Sequence, residues 1–297
     1  MNRLLNHKMW GEYSSAEWVC VKISVAFIWL SMVALASINH SSIPYPTGIF
    51  SIVDAPFLAA QYTVPVFFIS AVMLSILYIF EKRMFITTLL MFVISLILFT
   101  LEESNGVLNR NGLYTMLFLA QAIAYYRNTA RLSEERIQFP IQIIAGGYVL
   151  AGISKIKMSG LGWVTDAPMV SIQILKGYCY TYFNTGDFAQ LKRGEEQANF
   201  FLHHTLLIKS LFAGSLLLEL FAWVSVKNKL RAFTYGLLLT SMHLAIKHFM
   251  NVLIVSIFFP MFIFMVNPLY FVYRLVSKLF VLVIPRAEAA GEPLKPK

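Results

Sequence analysis

Charged residues are scarce in this chain: Asp, Glu, Lys and Arg make up 13% of its 297 residues, whereas 58% are hydrophobic. A soluble domain of this size needs far more polar surface, so the scarcity excludes that class and favours the bilayer as the solvent. No polar segment is long enough to bury a core of its own. The sequence therefore predicts one membrane domain, residues 1–285, and a disordered tail, residues 286–297, rich in Pro, Ala and Gly.

Several chemical motifs are also missing. The chain has no G-x-S-x-G, no glycine loop followed by Lys-Ser or Lys-Thr, and no Cys-x-x-Cys. Cys20 and Cys179 fall on opposite sides of the predicted membrane and are not expected to pair. The histidines lack the spacing of a metal site on one helix, so no metal is predicted. The net charge of +9 is divided among short clusters, so nucleic acid is not an expected partner.

Long apolar runs, by contrast, are abundant and predict an all-α polytopic transmembrane bundle of about eight spans. The predicted spans are residues 18–38, 58–80, 84–101, 112–127, 139–157, 204–225, 232–251 and 254–273. Basic clusters precede the first span, occupy every second connection and follow the last span, so both termini are predicted to be cytoplasmic. The longest connection, 158–203, is then an extracytoplasmic loop, and its LKRGEEQ stretch at 191–197 is expected to be solvated.

Burying an ionisable residue at membrane depth costs free energy unless its side chain snorkels to the surface, forms an ion pair or faces a water-filled cavity. Lys155 and Lys157 lie near the outer end of span five. On span seven, His243, Lys247 and Asn251 are spaced i, i+4 and i+8 and therefore share one helix face. Snorkelling to lipid headgroups explains a terminal lysine equally well. His243 lies deeper, has a short side chain and requires a hydrogen-bond partner.

Two further patterns affect the interpretation of Lys155. Gly146, Gly147 and Gly152 allow close helix approach, and Gly147 and Ala151 have small-xxx-small spacing; such packing would carry Lys155 into the bundle. Glu219, near the inner end of span six, is a candidate structural partner for Lys227 or Lys229. Burial among other cations favours the neutral amine form of a lysine, which could accept a proton from an acidic small molecule such as a membrane hydroquinone.

Two segments resemble a known family. YVLAGISKI (148–156), followed by Trp163, and MHLAIKHFMNVLIVSIFFPMFIFM (242–265) resemble motifs of vitamin K-dependent γ-glutamyl carboxylase and the wider HTTM (horizontally transferred transmembrane) family. The resemblance covers most of spans five to eight. It implies that Lys155 is the base that deprotonates a reduced quinone and that His243 is its active-site neighbour, in a polar pocket between spans five and seven. We expect Lys247 to supply positive charge for an anionic intermediate.

The chain also departs from the carboxylases. Their lysine doublet is Ser154-Lys155 here, and their large extracytoplasmic substrate-binding domain is missing. The resemblance is closer to short bacterial HTTM proteins, such as the membrane component that helps to mature the sporulation-delaying peptide toxin. It implies a bacterial cytoplasmic membrane protein that performs or assists extracytoplasmic peptide maturation or a quinone-linked modification. Expected partners are the lipid bilayer, a small secreted peptide and a companion maturation protein, with a membrane quinone as the candidate cofactor.

Two alternatives remain open at this point. A non-enzymatic membrane partner for the export of, or immunity to, a small peptide would tolerate changes at Lys155 and His243. A small-molecule transporter is the second alternative, although the chain shows no inverted repeat or paired broken helices.

Overall fold

The computed structural model describes residues 11–38, 45–53, 57, 63–106, 112–250 and 255–283. All regular structure in these ranges is helical, as predicted. The α-helices are α1 (Ser15–Ile38), α2 (Thr63–Ile79), α3 (Met84–Ser104), α4 (Gly112–Arg127), α5 (Leu132–Ser159), α6 (Gly162–Thr165), α7 (Val170–Thr185), α8 (Phe188–His203), α9 (Thr205–Leu220), α10 (Lys229–Met250), α11 (Val255–Met261) and α12 (Pro268–Val283). Short 3-10 turns at Ala167–Met169 and Ala222–Lys227 and a π-helical turn at Phe262–Val266 connect some of them. The predicted tail, 286–297, lies outside the described residues.

Three of the described helices are long and apolar enough to cross a membrane individually: Ser15–Ala36, Met84–Ser104 and Leu132–Ser159. Two bent pairs meet the same requirement together, which raises the number to five if each pair is one span. The bend is 89° between Phe188–His203 and Thr205–Leu220, and 42° between Ile257–Val266 and Pro268–Leu279. The chain therefore has the apolar helices of a membrane protein.

The main core lies where α4 packs against both α3 and α5, and where α1 packs against α2. Two of its large aromatic residues form buried hydrogen bonds between helices. The indole nitrogen of Trp29 donates to the Ser95 hydroxyl at 2.8 Å, and the Tyr78 hydroxyl donates to the Gln121 side-chain oxygen at 2.9 Å. Because these pairs join helices that are distant in sequence, they fix how the helices meet as well as satisfying buried polar groups.

Polar residues from several connections meet at one end of the bundle, which we call the Arg136 end. Glu81, in the turn between α2 and α3, accepts hydrogen bonds from the Trp18 indole at 2.8 Å and the Lys22 ammonium at 2.6 Å. The Arg136 guanidinium lies 4.6 Å from the centre of the Trp18 ring. Residues beside three predicted cytoplasmic segments therefore lie together.

Glu17 extends this network to the C-terminal half of the chain. Its carboxylate accepts from the Ser14 backbone N–H at 2.7 Å, while the Ser14 hydroxyl accepts from the Glu17 N–H at 3.2 Å, which is a capping box at the start of α1. The same carboxylate lies 2.7 Å from the Lys229 ammonium. Asn267 donates to the Glu17 carbonyl oxygen at 3.0 Å. The starts of α1, α10 and α12 are thereby joined.

The predicted extracytoplasmic loop, 158–203, contains helices that the sequence analysis did not identify. The segment forms α6, α7 and α8, and the LKRGEEQ stretch lies within α8. Its charged side chains are exposed, as expected for a solvated stretch, but Gly194 in its middle is buried against Tyr178. An amphipathic helix with charges on one face lacks a long apolar run, so span prediction overlooks it. Cys20 and Cys179 are both free thiols, as predicted.

Of the three α5 glycines predicted to allow close approach, Gly152 packs the helix into the bundle, whereas Gly146 and Gly147 do not. Gly147 and Ala151 are exposed, and a Cβ added at Gly147 would meet no described atom within 4 Å. Gly152 is buried instead, and a Cβ there would lie 3.1 Å from the Leu220 side chain and 3.4 Å from that of Glu219. Gly147 and Gly152 are about 140° apart around the helix, so only one of these faces can turn toward α9.

Gly236 of α10 lies against the π-helical turn so closely that alanine does not fit. A Cβ at this position would lie 2.7 Å from the Met265 Cβ and 3.0 Å from a Val266 methyl group. Gly236→Ala is therefore expected to destabilise the protein by about 1–3 kcal/mol, because the added methyl group overpacks the contact. Detergent-solubilised protein unfolded by a denaturing surfactant measures the change.

Gly214 of α9 is the matched control for this substitution. No described atom lies within 4 Å of a Cβ at this position. Alanine is the better helix former, so Gly214→Ala should be neutral or stabilising by up to about 1 kcal/mol. Equal losses of stability in the two variants would contradict the close approach at Gly236.

Candidate functional site

One face of α5 carries the candidate site. Tyr148, Gly152 and Lys155 are spaced i, i+4 and i+7, so their side chains lie above one another on the same face. Gly152 brings this face against α9, as described above, and thereby places the residues on either side of it close to the bundle. Lys155 is 19 residues beyond Arg136 on the same helix, which corresponds to about 28 Å along its axis. We call this opposite end of the bundle the Lys155 end.

Lys155 forms an ion pair with Glu219. Its ammonium nitrogen lies 2.5 Å and 2.6 Å from the two carboxylate oxygens of Glu219, near the end of α9. The Lys155 side chain is 24% exposed and that of Glu219 only 6%. A buried carboxylate requires a compensating charge, and Lys155 supplies it. Glu219 pairs with neither Lys227 nor Lys229, since Lys229 pairs with Glu17 and Lys227 lies over the Trp223 ring. It lies at the height of Lys155 and not near the opposite end of its span.

Trp163 covers the same ammonium group from another side. The Lys155 nitrogen lies 4.6 Å from the centre of the Trp163 ring, a cation–π distance. Trp163 is held in turn by Phe212 of α9, with their ring centres 5.8 Å apart. The Trp163 indole nitrogen is buried and has no hydrogen-bond acceptor among the described residues. Lys155 is thus held by a carboxylate and an aromatic ring, and an unused donor lies beside it.

His243 of α10 pairs with Tyr148 of α5. The Tyr148 hydroxyl lies 2.6 Å from His243 Nε2 and 3.3 Å from the Met261 sulfur. His243 is 4% exposed, and its Nδ1 has no hydrogen-bond partner in the described part of the chain. When Tyr148 donates to Nε2, the ring proton is on Nδ1, which is then a buried donor without an acceptor.

The two pairs share one face of α5, because Tyr148 and Lys155 are seven residues apart, which is two helical turns and about 10 Å along the axis. We refer to Tyr148, Lys155, Glu219 and His243 together as the Lys155–His243 cluster. It combines a carboxylate, an amine, a phenol and an imidazole, all of which can take part in proton transfer. It joins α5, α9 and α10, whereas the sequence placed the pocket between spans five and seven only.

The structure brings together two of the three predicted site residues, Lys155 and His243. Lys247 lies one turn beyond His243 on α10 and is exposed; Asn251 lies outside the described residues. Sequence reasoning missed Tyr148 as a site residue and misassigned Glu219. The spacing of Tyr148, seven residues before Lys155 on one helix, was a usable signal.

The cluster is remote from the small cavity at the Arg136 end. That cavity has a volume of about 30 Å³ and is lined by Glu17, Lys229 and Asn267, among others. The polar lining suits one or two water molecules, and the volume is too small for a substrate. In the described ranges, no three or more His, Cys, Asp and Glu side chains are grouped closely enough to hold a metal ion.

Comparison with known proteins yields no relative: no family model, no curated protein and no solved structure matches the chain.

Proposed function

We propose that this chain is an HTTM-type protein of a bacterial cytoplasmic membrane, with eight spans and both termini in the cytoplasm. The meeting of Glu17, Glu81, Arg136 and Lys229 at one end of the bundle supports this topology, since they flank four of the predicted cytoplasmic segments. The separation of about 28 Å between Arg136 and Lys155 is close to the roughly 30 Å thickness of a hydrocarbon core. The Lys155 end is then extracytoplasmic.

The proposed activity is a proton transfer at this extracytoplasmic end, as part of peptide maturation or of a quinone-linked modification, with Lys155 as the base. The buried ion pair between Lys155 and Glu219 carries this proposal. The lysine nitrogen first transfers its proton to a Glu219 carboxylate oxygen, which leaves a neutral amine and a carboxylic acid. The amine then accepts a proton from the bound molecule and becomes an ammonium ion beside the new anion.

The donors beside Lys155 fit a quinone-like molecule. Its two ring oxygens accept hydrogen bonds, and Trp163 Nε1 is a buried donor that lacks an acceptor among the described residues; His243 Nδ1 is a second such donor in the tautomer in which Tyr148 donates to Nε2. In reduced form such a molecule would supply the acidic hydroxyl group. Tyr148 fixes the His243 ring, and the exposed Lys247 provides positive charge one helical turn away.

Reconstituted protein tests this proposal. The chain in liposomes, mixed with a short-chain naphthohydroquinone under anaerobic conditions at a pH where the free molecule is neutral, is expected to hold up to one equivalent of it as the anion, which absorbance records. Lys155→Ala should abolish this anion signal, because the bound molecule then has no base to take its proton. Lys157→Ala, two residues away and exposed, is the matched control and should retain the wild-type signal. Equal anion signals for wild type and Lys155→Ala would exclude Lys155 as the base.

The closed ion pair also favours one alternative. A lysine held by a carboxylate and an aromatic ring can serve structure alone, which suits a non-enzymatic membrane partner in the export of, or immunity to, a small peptide. In that case a Lys155→Met, Glu219→Leu double variant would keep full export or immunity. The enzymatic proposal requires the same variant to be inactive.

A further inference from the structure

Helices α7 and α8 form a tight hairpin. Gly186, with φ of +70°, ends α7 in the left-handed conformation, and Asp187 begins α8 by accepting the Ala189 N–H at 3.0 Å. Gly194 of α8 lies so close to Tyr178 of α7 that an added Cβ would come within 2.6 Å of the tyrosine Cβ. The hairpin is therefore a packed unit and not a loose connection.

The last turn of α10 contacts the middle of α7 and the C-terminal half of α8. A Cβ at Gly177 of α7 would lie 3.5 Å from the Met250 carbonyl oxygen. The Gln197 side chain of α8 donates to the His248 carbonyl oxygen at 3.5 Å, and the Phe249 ring packs edge-on against Phe201. Because the end of α10 meets both helices, the hairpin caps α10.

This contact locates the hairpin relative to the bilayer. Met250 is 21 residues beyond Lys229, which corresponds to roughly 31 Å along α10. Lys229 belongs to the polar network of the Arg136 end, and a hydrocarbon core is about 30 Å thick. The hairpin therefore lies at the level of the opposite membrane boundary.

The outer face of α7 is apolar. Ile172, Leu175, Cys179 and Phe183 are spaced i, i+3, i+7 and i+11, so they form one stripe along the helix. Ile172, Leu175 and Phe183 are exposed, and Phe183 reaches 82%. No described part of the chain covers this stripe.

The two helices of the hairpin differ in their content of charged residues. Lys176, the single charged residue within the α7 sequence, lies about 40° around the helix from Ile172, and its long side chain can reach headgroup phosphates from there. The exposed residues of α8 include Lys192, Arg193, Glu195 and Glu196, which belong in water. Interfacial membrane elements have this distribution of side chains: an apolar surface with a cation at its edge, and a charged surface on the other side.

We propose that α7 lies in the extracytoplasmic boundary of the bilayer, with Ile172, Leu175, Cys179 and Phe183 inserted among lipid acyl chains and α8 facing water. The partner of this surface is the lipid bilayer itself. The inference rests on the topology given under Proposed function and is independent of the role of Lys155.

A spin label tests the depth of the stripe. The Cys20→Ala substitution leaves Cys179, which already lies in the stripe, as the single labelling site. Two comparison variants start from a cysteine-free background. One carries the label at Glu196→Cys on α8, and the other carries it at Leu238→Cys, an exposed position near the centre of α10. The labelled chains are reconstituted in phosphatidylethanolamine–phosphatidylglycerol vesicles. Collisions with oxygen, which concentrates in lipid, and with a water-soluble nickel chelate are then measured.

At Cys179 we expect oxygen collisions to predominate, as at Leu238→Cys, and nickel collisions to predominate at Glu196→Cys. If nickel collisions predominate at Cys179 while oxygen collisions predominate at Leu238→Cys, α7 is not inserted in the bilayer, but the proposed topology stands. Nickel collisions at Leu238→Cys would overturn the topology itself and, with it, this inference.

Discussion

Replacing Glu219 with leucine is expected to lower the free energy of unfolding by about 3 kcal/mol, because it leaves the Lys155 ammonium in a mostly apolar setting without its carboxylate. This loss is at the lower end of the range that is usual for breaking a buried ion pair, since the Lys155 side chain retains 24% exposure. Leucine keeps a similar size, so the loss reports the missing charge and not a cavity. Surfactant-induced unfolding in mixed micelles measures it.

A double variant separates the charge effect from general damage to the site. In the Lys155→Met, Glu219→Leu chain neither charge remains, and apolar residues of similar volume replace both, so most of the lost stability should return. A double variant as unstable as Glu219→Leu would mean that packing around α9, and not the unpaired ammonium, limits stability. Wild-type stability of the single variant would contradict the ion pair.

Lys155→Arg is expected to keep the fold and lose the activity. A guanidinium group pairs with a carboxylate at least as well as an ammonium does, so the unfolding free energy should stay within about 1 kcal/mol of wild type. Arginine does not release its proton in proteins, so it cannot become the neutral base. The hydroquinone-anion signal should therefore be lost, as in Lys155→Ala.

Lys157→Arg is the control for this variant. The substitution is chemically identical, but Lys157 is exposed two residues further along α5, so neither stability nor the hydroquinone-anion signal should change. Full activity of Lys155→Arg would reduce Lys155 to an anchor that holds α5 to α9. A large loss of stability in Lys155→Arg would instead mean that the Trp163 and Glu219 contacts admit only the smaller ammonium group.

The helices of this protein follow closely from its apolar runs. The predicted fourth span, residues 112–127, has the same bounds as α4, and the predicted third span begins at Met84, as α3 does. A run of apolar residues bounded by turns or charges determines a helix locally, without reference to the rest of the chain. The same reasoning overlooked α7 and α8, because amphipathic helices bury one face only and mix charged with apolar residues.

Lys155 and His243 were also identifiable from the sequence, since an ionisable group at membrane depth is expensive wherever its helix packs. Their partners were not. Glu219 is 64 residues from Lys155, and Tyr148 is 95 residues from His243, so each pair depends on which helices meet and at what height. Nothing local distinguishes the face of α5 that carries Gly147 from the face that carries Gly152.

The sequence by itself thus determined the helical class, most helix positions and the two costly polar residues, because each depends on the local balance between apolar burial and charge. Only the tertiary structure decided that Glu219 neutralises Lys155, that Tyr148 binds His243 and that the long connection folds into a hairpin over α10. These depend on the packing of helices from distant parts of the chain, where close approach at Gly152 and Gly236 selects one arrangement.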